Sequence, residues 1–296
     1  MADTRLLDPA VLQRLSNIEL VAKTVVDGFL HGSHRSPLFG FSQEFAEYRA
    51  YTEGDDPRYI DWNVLSRTDR VYIKRFLGET NTHLMILVDC SASMGYGSAG
   101  LTKLDYARYL AAALAYLSTR QHDATGLVLF DEEIREVRPA VYRPRHLQGL
   151  LHMLERAEAS TGTNLHVPLQ ALGRLLRRRG LVAMISDFFV DADEIVSSMR
   201  AVAYQGQDLV FFHVLDPKEL KPDLSTAALV EDMETGEEME VSSEYSRSVY
   251  PSLIDAHVEE MRRRVSGEGA DYVLLNTSQP LDLALREYLL FRQRRR

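Results

Sequence analysis

The sequence predicts an α/β fold: a doubly wound, mostly parallel, Rossmann-like sheet flanked by helices, with a small N-terminal extension of short strands and loops. Three observations predict it. Apolar runs of four to eight residues recur at 84–88, 126–130, 181–185 and 209–215, as expected of strands buried on both faces of a parallel sheet. Segments with helical spacing separate these runs. Oxygen-bearing side chains follow directly, Asp89 after the first run and Ser186-Asp187 after the third, where open α/β sheets bind ligands.

Taken in order, residues 8–30 carry helical spacing, with Asp8 and Pro9 as N-cap and first helical position. Residues 31–41, rich in Gly, Ser and Pro, read as loop. Residues 43–79 mix charged, aromatic and turn residues, and 71–76 alternates as a strand does. Short strands and a loop packed on the main domain are expected there. After the strand at 84–89 comes a glycine-rich loop, 95–100. Residues 104–117, with alanines at 107, 111, 112, 113 and 115, are apolar on all sides, as in a helix pressed onto a sheet. Then follow a strand at 126–130, a partner strand at 134–137, helices at 147–157 and 165–178, a strand at 181–185, a helix at 192–204 and a strand at 209–215. A hairpin is expected at 227–241, turning at Thr235-Gly236. A long helix at 244–265, a strand at 272–275 and a helix at 281–291 close the chain. The expected division is an N-terminal block over 1–80 and a main domain over 81–296, with the hairpin as an insertion.

The 296 residues carry a formal net charge of −9, which weighs against nonspecific nucleic-acid binding. The densest basic cluster, residues 292–296, reads as a solvated end. A single cysteine, Cys90, excludes an internal disulfide and suits a reducing compartment. The first residues lack a signal-peptide apolar region, and no apolar run reaches the roughly 18 residues of a membrane span. The expectation is a cytoplasmic chain with no membrane insertion.

Three loops carry oxygens: Asp89-x-Ser91-x-Ser93, Thr161-Gly162-Thr163-Asn164 and Ser186-Asp187. All three can lie on one edge of the sheet. The first offers one charged and two neutral oxygens in a short loop, which suits a hard cation such as Mg²⁺. Together, and in this order, the three resemble the metal-ion-dependent adhesion site of von Willebrand factor A domains. The resemblance implies a von Willebrand A-like fold and a Mg²⁺ ion, with Mn²⁺ or Ca²⁺ as alternatives, at Asp89, Ser91, Ser93, Thr163 and Asp187. It also implies that the serines bind the ion directly and the aspartates largely through water. Three of those five ligands are uncharged, so the ion stays under-neutralised and a position remains for a carboxylate of a partner protein.

Other chemistries fit less well. Residues 95–100 spell G-x-G-x-x-G, but the first glycine lies six positions past Asp89. Asp89 adds negative charge where a pyrophosphate would dock, and no acidic residue closes the next strand at the required distance. A haloacid-type phosphatase needs a second carboxylate where Ser91 stands. No Ser/His/Asp or Cys/His set is present, and Cys90 reads as core.

A second resemblance lies upstream. Arg49-x-Tyr51-x-x-Gly54-Asp55-Asp56-x-Arg58-x-Ile60-Asp61-Trp62, after His31-Gly-Ser-His34, is similar to a bacterial von Willebrand A family long labelled a domain of unknown function. Genes of that family often neighbour MoxR-type AAA+ ATPases, so the resemblance implies such an ATPase as partner. The likeness runs over residues 28–292. Many relatives carry N-terminal membrane helices, and this chain departs there. Physically, the arginines and carboxylates can close as bidentate clasps, either internally with Trp62 in a core or against a partner. Arg49, Asp55, Asp56, Arg58 and Asp61 are the candidate partner-binding residues. His31 and His34 have metal-ligand spacing but no third ligand nearby.

The expected function is non-enzymatic: an Mg²⁺-dependent protein-binding adaptor or co-chaperone working with a MoxR-type AAA+ ATPase. The competing reading is an Mg²⁺-dependent hydrolase on the same oxygens. It needs a general base beside the metal, and the three loops offer none beyond the ligands themselves.

Overall fold

Residues 84–88 set the architecture. In the computed structural model all five side chains are fully buried, and each such burial stabilises by about 1.5–3 kcal/mol. A strand that apolar on both faces must lie inside a sheet covered on both sides. The structure describes residues 9–13, 15, 17–32, 45–52, 60–68, 70–76, 83–98, 100–160, 162, 168–171, 179–204, 206–234 and 236–294.

The elements run α1 (Pro9–Leu12), α2 (Ile18–Gly32), β1 (Phe45–Ala50), α3 (Trp62–Thr68), β2 (Tyr72–Phe76), β3 (His83–Asp89), α4 (Lys103–Arg120), β4 (Ala124–Phe130), β5 (Ile134–Val141) and α5 (His146–Glu155). They continue as β6 (Gly180–Ser186), α6 (Ala192–Tyr204), β7 (Asp208–Leu215), α7 (Pro217–Leu220), β8 (Ala228–Glu231), β9 (Glu238–Val241), α8 (Ser243–Ser248), α9 (Tyr250–Gly267), β10 (Asp271–Asn276) and α10 (Asp282–Arg294). They fall into two compact units, Met1–Gly32 with Thr82–Arg296, and Ser33–Asn81.

In the larger unit six strands form one sheet in the order β10-β7-β6-β3-β4-β5. Every pairing is parallel except β4 with β5 at one edge. The sheet is the expected doubly wound, von Willebrand A-like class. One face packs Met85, Leu87, Met184 and Phe211 against Ile195 and Met199 of α6 and Met261 and Val265 of α9. The helix rich in alanine, α4, packs on the sheet, and α2, α5 and α10 pack on α4. Residues 110–114 of α4 are fully buried. Small side chains let this helix approach closely. A capping box starts it: Asp105 N–H donates to Thr102 Oγ1 at 3.0 Å, and Thr102 N–H donates to the Asp105 carboxylate at 3.4 Å. Among the described residues no helix is long and apolar enough to cross a membrane.

Several boundaries differ from expectation. The helix over 8–30 divides at Asn17, whose Oδ1 accepts from Glu19 N–H at 2.7 Å and starts α2 afresh. Because α2 packs on α4, it belongs with the main unit and not with the short-strand block. The helix over 244–265 divides at Val249, with Pro251 opening α9. Most of the helix expected at 165–178 lies outside the described residues.

In the smaller unit β1 and β2 pair antiparallel, with an isolated bridge from Ile60 to Ile73. Asp61 is buried and its Oδ1 accepts from Val64 N–H at 3.2 Å, capping α3. Trp62 is 64% exposed, so of the two alternatives the one that puts it in a core does not hold. It sits at the first position of α3, beyond the shelter of the strand pair.

The basic tail also needs correction. Arg292 is 4% exposed and forms an ion pair with the fully buried Asp123. The helical turn of α10 carries it inward while its neighbours end the chain. Removing one partner of a buried ion pair strands the other charge, at a cost of about 3–5 kcal/mol. Urea denaturation of Asp123→Asn is expected to show a loss of that order. A loss below about 1 kcal/mol, the range of an exposed pair, would contradict the structural role given to Arg292.

Candidate metal centre

At the C-terminal edge of the sheet, β3 ends in Asp89. The ladder continues one residue further, with Cys90 N–H donating to Phe130 O at 2.7 Å. Asp89 is fully buried. Its Oδ1 accepts from Ser91 N–H at 2.9 Å and its Oδ2 from Ser186 Oγ at 2.6 Å. The first contact folds the chain back so that Ser91 and Ser93 lie side by side, their hydroxyl oxygens 3.1 Å apart. Ser93 opens a short 3₁₀ turn, Ser93–Gly95, anchored by the buried Met94.

Asp187 follows β6 and is also fully buried. The residue after it, Phe188, has a φ of 49°, a left-handed conformation uncommon for a bulky side chain. Ser186 Oγ accepts from Phe188 N–H at 3.0 Å and holds this turn. The Phe188 ring packs against Phe211 and His213. Strain of this kind persists where the surroundings over-determine the backbone, and it clusters at functional sites.

No sequence pattern pointed to the group that meets Asp187. Lys103, the first residue of α4, is fully buried and donates to Asp187 Oδ2 at 2.7 Å and to Glu219 Oε1 at 2.5 Å. Its ammonium also lies 5.1 Å from the Phe189 ring centroid. Burial opposes the charged form, but Asp187 and Glu219 outweigh it and hold the lysine pKa above its ordinary value. Glu219 in turn accepts from Asp216 N–H at 2.8 Å, closing a capping box on α7. Asp216, at the end of β7, accepts from Ser98 N–H at 2.9 Å and Ser98 Oγ at 2.6 Å.

The electrostatics leave the edge short of positive charge. Among the described residues, Asp89, Asp187 and Glu219 face the ammonium of Lys103. Burial first, and then the charge of Asp187, push the Asp89 carboxyl up to about 7. Asp187 Oδ1 is buried without a hydrogen-bond partner. A divalent cation would supply what is missing. The hydroxyl pair fits one: adjacent ligands of an octahedral ion bound at about 2.0–2.1 Å stand about 2.9 Å apart, against 3.1 Å for Ser91 and Ser93. Among the described residues no three His, Cys, Asp or Glu side chains group as a metal-ligand set, so the fit depends on the hydroxyls.

Of the five expected ligands, Asp89, Ser91, Ser93 and Asp187 come from loops on this one edge. Thr163 lies outside the described residues. Ser160 lies at the same edge, where its N–H donates to Cys90 O at 2.9 Å and its Oγ to Asp131 Oδ2 at 2.6 Å. A further oxygen arrives unexpectedly: Ser93 Oγ donates to Glu234 Oε1 of the β8–β9 hairpin at 3.2 Å. Burial and then Asp89 push the Cys90 thiol up to about 12. Burial, then His257, pull the His213 imidazole down to about 3.

Asp55, Asp56 and Arg58 lie outside the described residues, as does His34, and only the backbone of Arg49 and of His31 is described. Asp61 is buried and turned to its own helix as a cap, so it presents no open carboxylate for docking.

A doubly wound sheet with this serine–aspartate edge defines a von Willebrand A-like α/β protein. The family described as "Protein of unknown function DUF58" matches residues 47–260, and the chain belongs to it. Uncharacterised proteins of Mycobacterium bovis and Mycobacterium tuberculosis are each 30% identical over 277 residues, 92% of this chain and 86% of theirs. The conserved hypothetical protein BatB of Bacteroides thetaiotaomicron is similar in fold, with a TM-score of 0.50 and 14% identity over 72% of this chain and 98% of its own.

Lys103→Met would leave the buried Asp187 and the half-buried Glu219 uncompensated. In EDTA the variant is expected to lose about 3–5 kcal/mol in urea denaturation. Wild-type stability would show that the ammonium does not hold this edge together.

Proposed function

We propose that this chain is a protein-binding adaptor that holds Mg²⁺ at Asp89, Ser91, Ser93, Thr163 and Asp187, takes a carboxylate from a partner at the open position, and works with a MoxR-type AAA+ ATPase. The observation that carries the metal is the buried, charge-deficient edge. Two fully buried aspartates sit there with a pair of hydroxyls at ligand spacing. The serines would hold the ion directly. Lys103 already claims Asp187 Oδ2, so the partnerless Oδ1 is the oxygen left to face it. The ion, held mainly by neutral hydroxyls and keeping water in its remaining positions, offers a place that a partner carboxylate can take.

The adaptor reading is preferred to the hydrolase reading because the buried titratable groups around the site are engaged within the protein. Glu219 is held by Lys103, Asp89 by Ser91 and Ser186, and His213 stays neutral. The ATPase partner rests on family resemblance, and the ATPase would provide the mechanical work.

Calorimetry on the full chain is expected to show Mg²⁺ binding, weakened at least about tenfold in Ser91→Ala/Ser93→Ala, a loss typical even of groups one shell out from a metal. Capture of a MoxR-type ATPase from the same source is expected to need Mg²⁺ and to fail in EDTA. Equal Mg²⁺ affinity in the double variant would remove the metal site. Undiminished capture in EDTA would move ATPase docking to another face.

A further inference from the structure

Opening onto the metal edge, with Ser93 in its lining, lies a groove of about 910 Å³ between the β8–β9 hairpin, the α7 region and helices α8 and α9. Its apolar lining includes Val230, Met233 and Met239 on the hairpin side and Tyr245 and Leu253 opposite. These side chains are not sheltered: Met239 is 60% exposed and Leu253 52%. Among the described residues, half of the large exposed apolar side chains lie between 229 and 253. Apolar patches of this kind, rimmed by polar groups, mark interaction sites, and methionine suits surfaces that adapt to a partner.

The rim has one sign. Asp223, Glu231, Asp232, Glu234, Glu237 and Glu238 line the groove, and among the described residues Lys218 is the one basic residue there. The hairpin, residues 228–241, holds six carboxylates and no Lys or Arg. Its register places Glu231 directly opposite Glu238, and like charges so placed destabilise a sheet. A lone two-stranded hairpin is marginal to begin with. The turn is nonetheless well built: Asp232 N–H donates to Glu237 O at 2.8 Å, Gly236 N–H donates to Asp232 O at 2.8 Å, and Gly236 takes the required positive φ of 72°. A carefully turned hairpin that keeps opposed charges and exposed apolar groups breaks local rules in the way functional sites do.

We infer that this groove docks a cationic segment of a partner protein, one that sets apolar side chains against Met239 and Leu253 and lysines or arginines between Glu231 and Glu238. A cation there turns the cross-strand repulsion into two attractive contacts. The apolar floor gives the segment an anchor that simple counterions lack. Docking here does not require the metal.

The test uses the full chain and a fluorescein-labelled peptide alternating lysine with leucine, followed by fluorescence anisotropy, beside its counterpart with glutamate for lysine. The lysine peptide is expected to bind, in EDTA as well as in Mg²⁺, and the glutamate peptide is not. Glu231→Gln/Glu238→Gln and Met239→Ser/Leu253→Ser are each expected to weaken binding about tenfold. Neutralising an exposed acid elsewhere, Glu259→Gln, is expected to leave it unchanged. The sites are on the surface, and circular dichroism checks that each variant is folded. Equal affinity in either groove variant, equal binding of the glutamate peptide, or the same loss in Glu259→Gln would overturn the inference. So would sedimentation showing a dimer that the groove variants dissolve, which would assign the groove to a second copy of this chain. Failure of Mg²⁺ binding would leave this result standing, because the peptide is measured in EDTA.

Discussion

The ammonium of Lys103 sits where water cannot reach it, between two carboxylates that come from distant parts of the chain. Taking ions out of water costs several kcal/mol each, and attraction repays this only when geometry and further hydrogen bonds are good. Here they are. Lys103 joins the start of α4 to the loop after β6 through Asp187, and to α7 through Glu219. Glu219 reaches back to the Asp216 backbone, and Asp216 grips Ser98. One connected polar network therefore ties the start of α4 to the loops after β6 and β7 and places Asp187, while Asp89 is held by Ser91 and Ser186.

The same burial that makes this network strong leaves it unbalanced. Asp89 and Asp187 are delivered to the interior by β3 and β6, whose apolar runs allow no other placement. Lys103 answers only part of their charge. Asp89 responds by holding its proton up to about pH 7. Serine hydroxyls close by, a partnerless carboxylate oxygen and a strained Phe188 backbone all lie where a cation would bring balance. In this reading the sheet edge folds around the Lys103 ammonium and is shaped for a second cation. The acidic hairpin, meeting the site through Glu234, extends negative charge over the neighbouring groove.

The strands were legible because a fully buried parallel strand leaves a continuous apolar run, which few other elements imitate. Asp89 and Asp187 were legible because each follows such a run. Asp216 follows the run ending at Leu215 and could have been found by the same rule. Lys103 was not legible: its partners lie 84 and 116 residues away, and a lysine at a helix start usually points to solvent. Arg292 was misread because its inward direction depends on the rotation of α10, while the adjacent arginines suggest a charged tail. The break before α2 turns on one Asn17 side chain, too local a signal for an apolar periodicity to register.

The central claim is that the edge formed by Asp89, Ser91, Ser93 and Asp187 is completed by a divalent cation. Crystals grown with Mn²⁺ and measured near the manganese absorption edge test it most directly. The account predicts one anomalous peak within about 2.0–2.3 Å of both the Ser91 and Ser93 hydroxyl oxygens, allowing Mn²⁺ slightly longer bonds than Mg²⁺. A map with no peak there, with Lys103 still bridging Asp187 and Glu219, would contradict it and leave the lysine as the only cation the site uses.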